Sequence, residues 1–475
     1  MVTFASLVVA VGLASTFSSP PSFVSAAPLA PRSDASTASK APPIRVPIRR
    51  GNGLVSAGDR FEFFKKQGRR LEGKYGRPSD VVKRAEAGVV QMTDYLDSIW
   101  FGDISIGTPS TTYGVILDTG SSDLIVATPD CIGCPPDTPG YTLSQSSSST
   151  NLSSSEPFSI TYGSGAATGY LVEDVVGIAD FVAERQTFAV CPEMDNVVNS
   201  SISGILGMGW QSIASSGAVP LVQQIAAAGD LPQQVFTFAF ESHTFFVGET
   251  ATKPGGEMMI GGIDPTKYSG EIAWNELTDE GYWEIPLGGT TVNGVDIGSL
   301  GQTDHAIIDT GTTLIGMPSK SVEAIYSNIP NSEAVSLDGM GGYYAYPCSQ
   351  KVSVTLTFGD MAYTLPSSAF NGGTFDQNSD LCLGAIYALS SERFIIGDAF
   401  LTTVYSAFRL SSPAAVGFAL LGSNGLMPSN TSLTGQVPSN QNTSNGRRSV
   451  SLPLSSSSRV AVVAVLVISA IFNFA

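Results

Sequence analysis

The sequence predicts an all-β, bilobal protein in which two duplicated β lobes enclose a central cleft. Hydrophobic residues make up 43% of its 475 residues and charged residues only 14%, alongside 50 Gly and 28 Pro. This composition favours short strands joined by many turns over long surface helices. The length also exceeds that of one ordinary core, so we expect more than one folded unit.

An internal repeat indicates the duplication. The segment from Gly114 to Ser122 and the segment from Asp304 to Thr313 each contain an apolar run that leads into Asp-Thr-Gly and a hydroxyl residue. An Ile-Leu-Gly triplet at 205–207 follows the first motif, and an Ile-Ile-Gly triplet at 395–397 follows the second. The distance along the chain from motif to triplet is nearly the same in both cases. Two matched motifs at matched offsets are typical of a duplicated lobe.

Most of the remaining folded segments are predicted strands, because they show alternation and many β-branched residues. The predicted strands cover residues 100–107, 113–117, 158–162, 169–176, 236–240, 258–262 and 394–396. Helices are expected to be few and short, the best being 221–228 and 321–328. We assign residues 85–285 to the N-terminal lobe with the interlobe connection, and residues 286–422 to the C-terminal lobe.

Charge divides the chain into a basic leading segment and an acidic remainder. Residues 27–84 hold 14 Lys and Arg against 5 Asp and Glu, whereas residues 85–475 hold 10 against 36. The basic segment follows an apolar stretch that ends in small residues near Ala26, and it closes with Lys83-Arg84. We therefore interpret residues 1–26 as a signal peptide and residues 27–84 as a removable propeptide. The acidic remainder argues against nucleic acid as a partner.

The C-terminal end predicts surface attachment. Residues 423–459 are rich in Ser, Asn, Gly, Pro and Thr, which cannot bury enough apolar surface to fold, so we interpret them as a stalk. The apolar tail 460–475 follows small residues around 444–446, a pattern typical of a GPI-anchor signal. A single membrane anchor, or a tail without function, is the alternative.

Potential glycosylation sites agree with a secretory route. Asn-x-Ser/Thr triplets stand at Asn151, Asn199, Asn430 and Asn442. We expect the protein to be secreted and held on the extracellular face of the plasma membrane or in the cell wall through the lipid anchor. The membrane is expected to be a partner only through that anchor.

The two Asp-Thr-Gly motifs carry the candidate chemistry. Two carboxyl groups that share one proton can activate a water molecule and protonate a substrate without a metal. Asp118 and Asp309 are the candidates. The Gly after each Asp-Thr allows a tight turn that brings main-chain N–H groups to the carboxylate. The threonines next to each Asp are expected to link the two loops, and the hydroxyl groups at 121 and 312 are expected to hold the carboxylates in place. The residues expected to support the pair are Thr119, Gly120, Ser121, Thr310, Gly311 and Thr312.

Over residues 90–420 the chain resembles the pepsin family of aspartic peptidases. The resemblance extends to Tyr95-Leu-Asp97, 101–109, 261–265 and 281–285, in the family's order. It implies a bilobal fold with a deep cleft, hydrolysis of peptide bonds at acidic pH, and Asp118 and Asp309 as the catalytic dyad. It implies protein or peptide substrates, no metal and no organic cofactor, and we expect a monomer.

The resemblance also implies a mobile flap. Residues 160–165 resemble the hairpin that closes over the cleft in the family, with Tyr162 as its gating residue and Gly163 and Ser164 at its tip. Ile125 departs from the family, which usually carries a Trp there that hydrogen-bonds the flap tyrosine. Lys74-Tyr75 resembles the propeptide element that relatives place against the dyad.

Five cysteines leave at least one without an intramolecular partner. Cys348 and Cys382 match the second-lobe disulfide of the family, and Cys131 and Cys134 stand where relatives often have a small disulfide loop. Cys191 could instead pair with either of the latter two. A metal or redox role for Cys-x-x-Cys is disfavoured because no second ligand pair is present and the compartment is oxidising.

Other classes of function have less support. Only His243 and His305 are present, without the His-Glu-x-x-His or Gly-x-Ser-x-Gly motifs of zinc peptidases and serine hydrolases. The main alternative is a catalytically inactive pepsin-like binding or inhibitor protein, and a wall-attached structural glycoprotein is a further one. Both Asp-Thr-Gly motifs are intact, which favours the enzyme. Acidic residues such as Asp123, Glu280 and Asp304 line subsites or are solvated surface charges.

Overall fold

The structure is a computed structural model. It describes residues 44–50, 57–75, 100–152, 157–162, 165–198, 202–241, 254–298, 300, 305–337, 339–375 and 380–422. The predicted signal peptide, the dibasic pair Lys83-Arg84, the stalk and the C-terminal tail lie outside these residues. Within the described ranges, no helix is both long and apolar enough to span a membrane.

Strands dominate the described residues. The first group is β1 (Ile44–Arg50), β2 (Trp100–Ile106), β3 (Thr111–Asp118), β4 (Leu124–Ile132), β5 (Thr150–Asn151), β6 (Phe158–Tyr162), β7 (Gly165–Ile178), β8 (Phe181–Asp195), β9 (Gly204–Gly207), β10 (Val235–Phe240), β11 (Pro254–Ile260) and β12 (Tyr268–Glu276). The second group is β13 (Glu284–Pro286), β14 (Thr290–Val292), β15 (Val295–Gly298), β16 (His305–Ile308), β17 (Ile315–Pro318), β18 (Glu333–Leu337), β19 (Met340–Pro347), β20 (Val354–Phe358), β21 (Met361–Leu365), β22 (Asn371–Thr374), β23 (Leu381–Gly384), β24 (Ile386–Leu389), β25 (Phe394–Ile396), β26 (Val404–Arg409) and β27 (Ala415–Leu421). The all-β prediction is confirmed.

The helices are α1 (Ala57–Tyr75), α2 (Leu221–Ala228), α3 (Ser319–Tyr326), α4 (Ser367–Phe370) and α5 (Asp398–Leu401), with 3-10 turns at Leu143–Gln145 and Gln211–Ile213. The predicted helix 221–228 is found, and the one predicted at 321–328 begins two residues earlier. The expectation that all helices are short is wrong for α1, which has 19 residues. It lies in the segment predicted to be the propeptide.

One large sheet joins the first half of the chain to its end. Fourteen strands of the described chain form it, in the order β12-β27-β26-β10-β11-β1-β2-β3-β9-β4-β8-β7-β5, with β6 paired to β7. Three smaller sheets, β13-β16-β25-β17-β24, β15-β14-β20-β21 and β18-β19-β23-β22, complete the C-terminal part. The lobe boundary at 285/286 stays a prediction.

The repeated motifs occupy equivalent places in two sheets. β3 pairs in parallel with β9, which matches Asp118 with Gly207, and β16 pairs in parallel with β25, which matches Ile308 with Ile396. β9 then pairs antiparallel with β4, as β25 does with β17. Each Asp-Thr-Gly loop therefore emerges where an apolar strand lies against the apolar triplet of its own half.

Two disulfides crosslink the described residues. They join Cys131 to Cys134 and Cys348 to Cys382, which are the pairs named from the sequence. Cys191 is a free, buried thiol, and burial raises its pKa to about 12. The alternative in which Cys191 pairs with Cys131 or Cys134 is therefore wrong for this structure.

Candidate active site

Asp118 and Asp309 meet from the two halves of the chain. Asp118 is the last residue of β3 and Asp309 follows β16 directly, so each carboxyl extends from the end of a buried strand. Their side chains are 1% and 0% exposed. The main chain fixes both residues, because Met208 N–H donates to the carbonyl of Asp118 and Asp309 N–H donates to the carbonyl of Ile396.

The two following threonines link the loops. Thr119 N–H donates to Thr310 Oγ1 at 3.1 Å, and Thr310 N–H donates to Thr119 Oγ1 at 3.0 Å. The Thr119 hydroxyl also donates to the Ile308 carbonyl at 2.8 Å, and the Thr310 hydroxyl donates to the Leu117 carbonyl at 2.7 Å. Both threonines are buried. Each loop thus holds the other in register, and a displacement of one carboxyl would break bonds on both sides.

The glycines of the two motifs allow the carboxyl groups to come together. A Cβ on Gly120 would overlap the Asp309 carboxyl carbon, and a Cβ on Gly311 would overlap the Asp118 carboxyl. Any other residue would therefore push the loops apart. The Asp-Thr-Gly pattern is explained by this reciprocal contact as well as by the turn.

Each carboxylate receives a main-chain and a hydroxyl donor from its own loop. Gly120 N–H donates to Asp118 Oδ1 at 2.9 Å and Ser121 Oγ donates to Asp118 Oδ2 at 2.6 Å. In the second loop, Gly311 N–H donates to Asp309 Oδ1 at 2.9 Å and Thr312 Oγ1 donates to Asp309 Oδ2 at 2.5 Å. These donors orient both groups before any substrate arrives.

Helix α1 ends in this site. Lys74 Nζ lies 2.9 Å from Asp118 Oδ1 and 2.9 Å from Asp309 Oδ2, and it donates to both. The Tyr75 hydroxyl donates to Asp309 Oδ2 at 2.7 Å. The ammonium group of Lys74 therefore occupies the space between the two carboxylates.

The pKa shifts reflect burial and this shared cation. Burial and the charge of Asp309 raise the pKa of Asp118 above its ordinary value, although Lys74 opposes them. Burial acts in the same direction on Asp309, but the charge of Lys74 and the hydrogen bonds from Asp118, Thr312 and Lys74 hold its pKa well below its usual range. Burial alone would lower the pKa of Lys74, yet the two carboxylates raise it. The pair therefore holds one proton more readily than two.

Apolar contacts hold the rest of α1 in place. Phe64, Leu71 and Tyr75 are buried in one cluster with residues of the C-terminal part, including the rings of Tyr343 and Tyr387. The Tyr343 hydroxyl donates to the Phe64 carbonyl. At the outer end of this contact Glu72 accepts from Ser390 N–H at 2.8 Å and from Ser390 Oγ at 2.6 Å.

Gly68 explains how closely the helix approaches. A Cβ there would overlap the hydroxyl and ring of Tyr343 and the ring of Tyr387, both of which are buried. Glycine is a poor residue for a helix interior, and its cost here is offset by this close contact.

Tyr162 of the predicted flap lies in a second apolar cluster, which we call the flap cluster. Its buried members are Phe101, Ile116, Ile125, Ala127, Phe158, Tyr162, Ala167, Ala189, Cys191, Met194, Val197, Val198, Ile202 and Ile205. Ile125 is fully buried there. The hydroxyl of Tyr162 is buried and has no hydrogen-bond partner in the described part of the chain. Gly163 and Ser164, predicted at the flap tip, lie outside the described residues.

Of the predicted glycosylation sites and acidic residues, the structure describes Asn151, Asp123 and Glu280. Asn151 is exposed on β5, whereas Asn199, Asn430 and Asn442 are outside the described residues. Asp123 is buried and accepts hydrogen bonds from Ser215 N–H at 2.7 Å and Ser216 N–H at 3.0 Å. It has a structural role in its loop, so the interpretation of Asp123 as a subsite or surface charge is wrong.

One buried acid beside the dyad was not identified from the sequence. Asp398 follows the 395–397 triplet, and its N–H donates to the Thr312 carbonyl at 2.7 Å. Burial and the charge of Asp309 raise its pKa well above the ordinary value, while the charge of Arg70 opposes them. The equivalent position after 205–207 is Met208, so a search for repeated residues passes over Asp398. The sequence signal that could have identified it is an acidic residue placed directly after the apolar triplet at 395–397, where a buried side chain is expected.

Comparison with known proteins identifies the relatives of the chain. The eukaryotic aspartyl protease family matches residues 99–421. Major aspartyl peptidase 1 of Cryptococcus neoformans var. grubii is 39% identical over 370 residues, which cover 74% of this chain and 74% of the relative. An aspartic protease of Phaffia rhodozyma is 36% identical over 71% of this chain and 80% of its own length. Pepsin A of Suncus murinus is 31% identical over 75% of this chain and 89% of its own length.

Proposed function

The chain belongs to the eukaryotic aspartyl protease family and is an aspartic-type endopeptidase, and from this premise we propose that Asp118 and Asp309 are its catalytic pair. The observation that carries the proposal is that two buried carboxyl groups from the two halves of the chain come together, each against the glycine of the other motif. Each is oriented by its own loop and both bind one cation.

The proposed reaction is hydrolysis of a peptide bond by water at acidic pH. The ionised member of the pair takes a proton from a water molecule as the water oxygen bonds to the substrate carbonyl carbon. The protonated member gives its proton to the carbonyl oxygen, which produces a neutral tetrahedral diol. The carboxyl that took the proton from water then gives it to the leaving nitrogen as the C–N bond breaks, and the other carboxylate takes a proton from a diol hydroxyl. The products are a carboxylic acid and an amine, and the pair again holds one proton.

We propose further that the full chain is a latent precursor. Lys74 Nζ lies where a water molecule bound to both carboxylates would sit, and α1 covers the C-terminal wall of the same site. The segment that holds α1 is basic and the remainder is acidic, so their attraction weakens as acid neutralises carboxylates. Activity therefore requires departure of α1, through acid or through cleavage after Arg84.

Acid proteolysis tests the proposed function. The chain, cut after Arg84 and acidified, is expected to digest a denatured protein, and pepstatin is expected to block that digestion. A chelator should leave the rate unchanged, because the proposed reaction uses no metal. A protein that binds peptides at acid pH but never cleaves them would instead support the inactive binding or inhibitor protein.

We also propose secretion, N-glycosylation at the four Asn triplets and a GPI anchor. The support is the apolar leader, the Ser-rich segment and the short apolar tail of the sequence. A phosphatidylinositol-specific phospholipase is expected to release the protein from intact cells. Retention on the cells after complete lipase treatment would overturn the anchor and leave the peptidase proposal unaffected.

A further inference from the structure

The last turn of α1 places an acidic side chain on the wall of the site, and the catalytic proposal does not use it. Glu72 accepts a hydrogen bond from Ser390 N–H at 2.8 Å through one carboxylate oxygen and from Ser390 Oγ at 2.6 Å through the other. One residue therefore holds both oxygens of a carboxylate. An N–H and a hydroxyl that converge in this way form a small receptor for a carboxylate group.

This receptor lies on the wall that leads away from the dyad. Glu72 precedes Lys74 by two residues, which is a rise of about 3 Å along the helix. The neighbouring Leu71 is buried in one cluster with Leu389, and Ser390 follows Leu389 directly. We therefore expect an extended peptide bound at the dyad to reach Ser390 within a few residues.

A cavity adjoins the receptor. It has a volume of about 440 Å³, and Glu72, Ser390 and Tyr387 are among the residues that line it. Met340 and Tyr344 give it an apolar wall. An apolar space with a few polar groups at one end suits a side chain that has an apolar stem and a polar end, as glutamate has.

Hydrogen bonds, and not net charge, favour a carboxylate at this place. Residues 85–422 hold only seven Lys and Arg, and one of them, Arg393, lies in the loop 390–393 that Ser390 opens. Its guanidinium stands over the Tyr282 ring at 5.2 Å. The exposed Glu392 of the same loop offsets that charge. The general field of this acidic part of the chain favours basic side chains, so a preference for an acidic one would have a local cause.

We propose that Ser390 binds the carboxylate of a substrate side chain once α1 has left, so that the peptidase prefers Glu or Asp at one position near the scissile bond. In the proposed precursor, Glu72 occupies the place of that side chain. The inference rests on the proposed function, because it assigns a substrate class to the same enzyme. Water competes for this exposed serine, so the expected preference is moderate.

Matched peptides test the proposal on the chain cut after Arg84. All have the same apolar residues at the scissile bond and an amidated C-terminus, so that only a side chain supplies a carboxylate. Glu or Gln stands at each neighbouring position in turn. At about pH 5.5, where a Glu side chain is largely ionised, the Glu peptide is expected to have a kcat/KM about 5-fold above that of the Gln peptide at one position.

Three serine variants separate the receptor from other causes. Ser390→Ala removes the donor of the shorter bond to Glu72, so the Glu to Gln ratio is expected to fall to about 2. Ser390→Thr keeps a hydroxyl and is expected to keep the ratio. Ser269→Ala is the matched control, since Ser269 is an exposed serine of β12 in the large sheet, and its hydroxyl donates to the Leu421 carbonyl. Its Glu to Gln ratio is expected to equal that of the parent.

The outcomes are distinct. A Glu to Gln ratio of about one at every position would overturn the proposal, as would a preference for Glu that Ser390→Ala leaves unchanged. In both cases cleavage of the Gln peptides would still support the peptidase. If the parent cleaves no peptide of the set, the proposed function itself fails.

Discussion

The Asp118→Asn variant is expected to cleave peptides at least about 10⁴-fold more slowly than the parent. Asparagine has the shape of aspartate, so its oxygen can still accept from Gly120 N–H and its amide can face Ser121. It cannot exchange a proton with water or with the substrate. Geometry is thereby preserved while the shared proton is lost, which isolates the chemistry from the fold.

The measurement is kcat at acid pH on the chain cut after Arg84 by a dibasic-specific peptidase, because the variant cannot process itself. Asp360→Asn is the control, since Asp360 is exposed in the turn between β20 and β21. Its rate is expected to match that of the parent. Parent-like cleavage by Asp118→Asn would remove Asp118 from the mechanism.

Replacement of Lys74 by Met is expected to make the uncut precursor active. The change keeps the length of the side chain but leaves two buried carboxyl groups without their cation. Loss of one partner from a buried ion pair costs about 3–5 kcal/mol, which corresponds to a release of α1 that is at least about 10²-fold more frequent. Peptide hydrolysis by the uncut precursor should rise by a similar factor.

The pH at which the precursor opens should also move. The lowered pKa of Asp309 means that its contribution to the closed form is complete above the ordinary Asp pKa and disappears only as pH falls through the lowered value. The Lys74→Met precursor lacks the charge that causes this lowering, so it should open at a higher pH than the parent.

A blocked precursor checks this result. Lys83→Ala and Arg84→Ala prevent processing, and the rate of hydrolysis of a short peptide is followed as pH is lowered. Arg69→Ala is the control, because it removes one positive charge from an exposed position of the same helix. This variant should leave the precursor without peptidase activity. If Lys74→Met remains as silent as the parent, apolar packing alone holds α1.

The repeated motifs made the fold and the centre of the site predictable. Asp-Thr-Gly is demanded within each loop, because the glycine N–H donates to the aspartate two residues before it. The strands 158–162 and 394–396 were also readable, since burial on the sheet imposes β-branched and aromatic residues. Local rules that act within one segment leave a clear pattern in sequence.

Helix α1 left a weaker pattern. It buries Gln67 and Arg70 beside Phe64 and Leu71 and partly buries Lys74, so its inward face mixes polar and apolar residues. Its packing against the cleft stabilises it, and an amphipathic period is not required. Asp398 was missed for a similar reason, because its burial and its position beside Asp309, which make that carboxyl unusual, arise from the tertiary fold.

Strand β1 gives a second role to the segment that we propose is removed. It pairs with β11 from Ile44 to Arg49 and with β2 at Arg49 and Arg50, so it is an internal member of the largest sheet. Both β1 and α1 precede Arg84. A cut after Arg84 would therefore separate the rest of the chain from two elements that packed against it during folding. The full chain would then be the species that folds and the cleaved chain the species that is active. The cleaved enzyme would not be expected to refold after unfolding, so maturation would be irreversible.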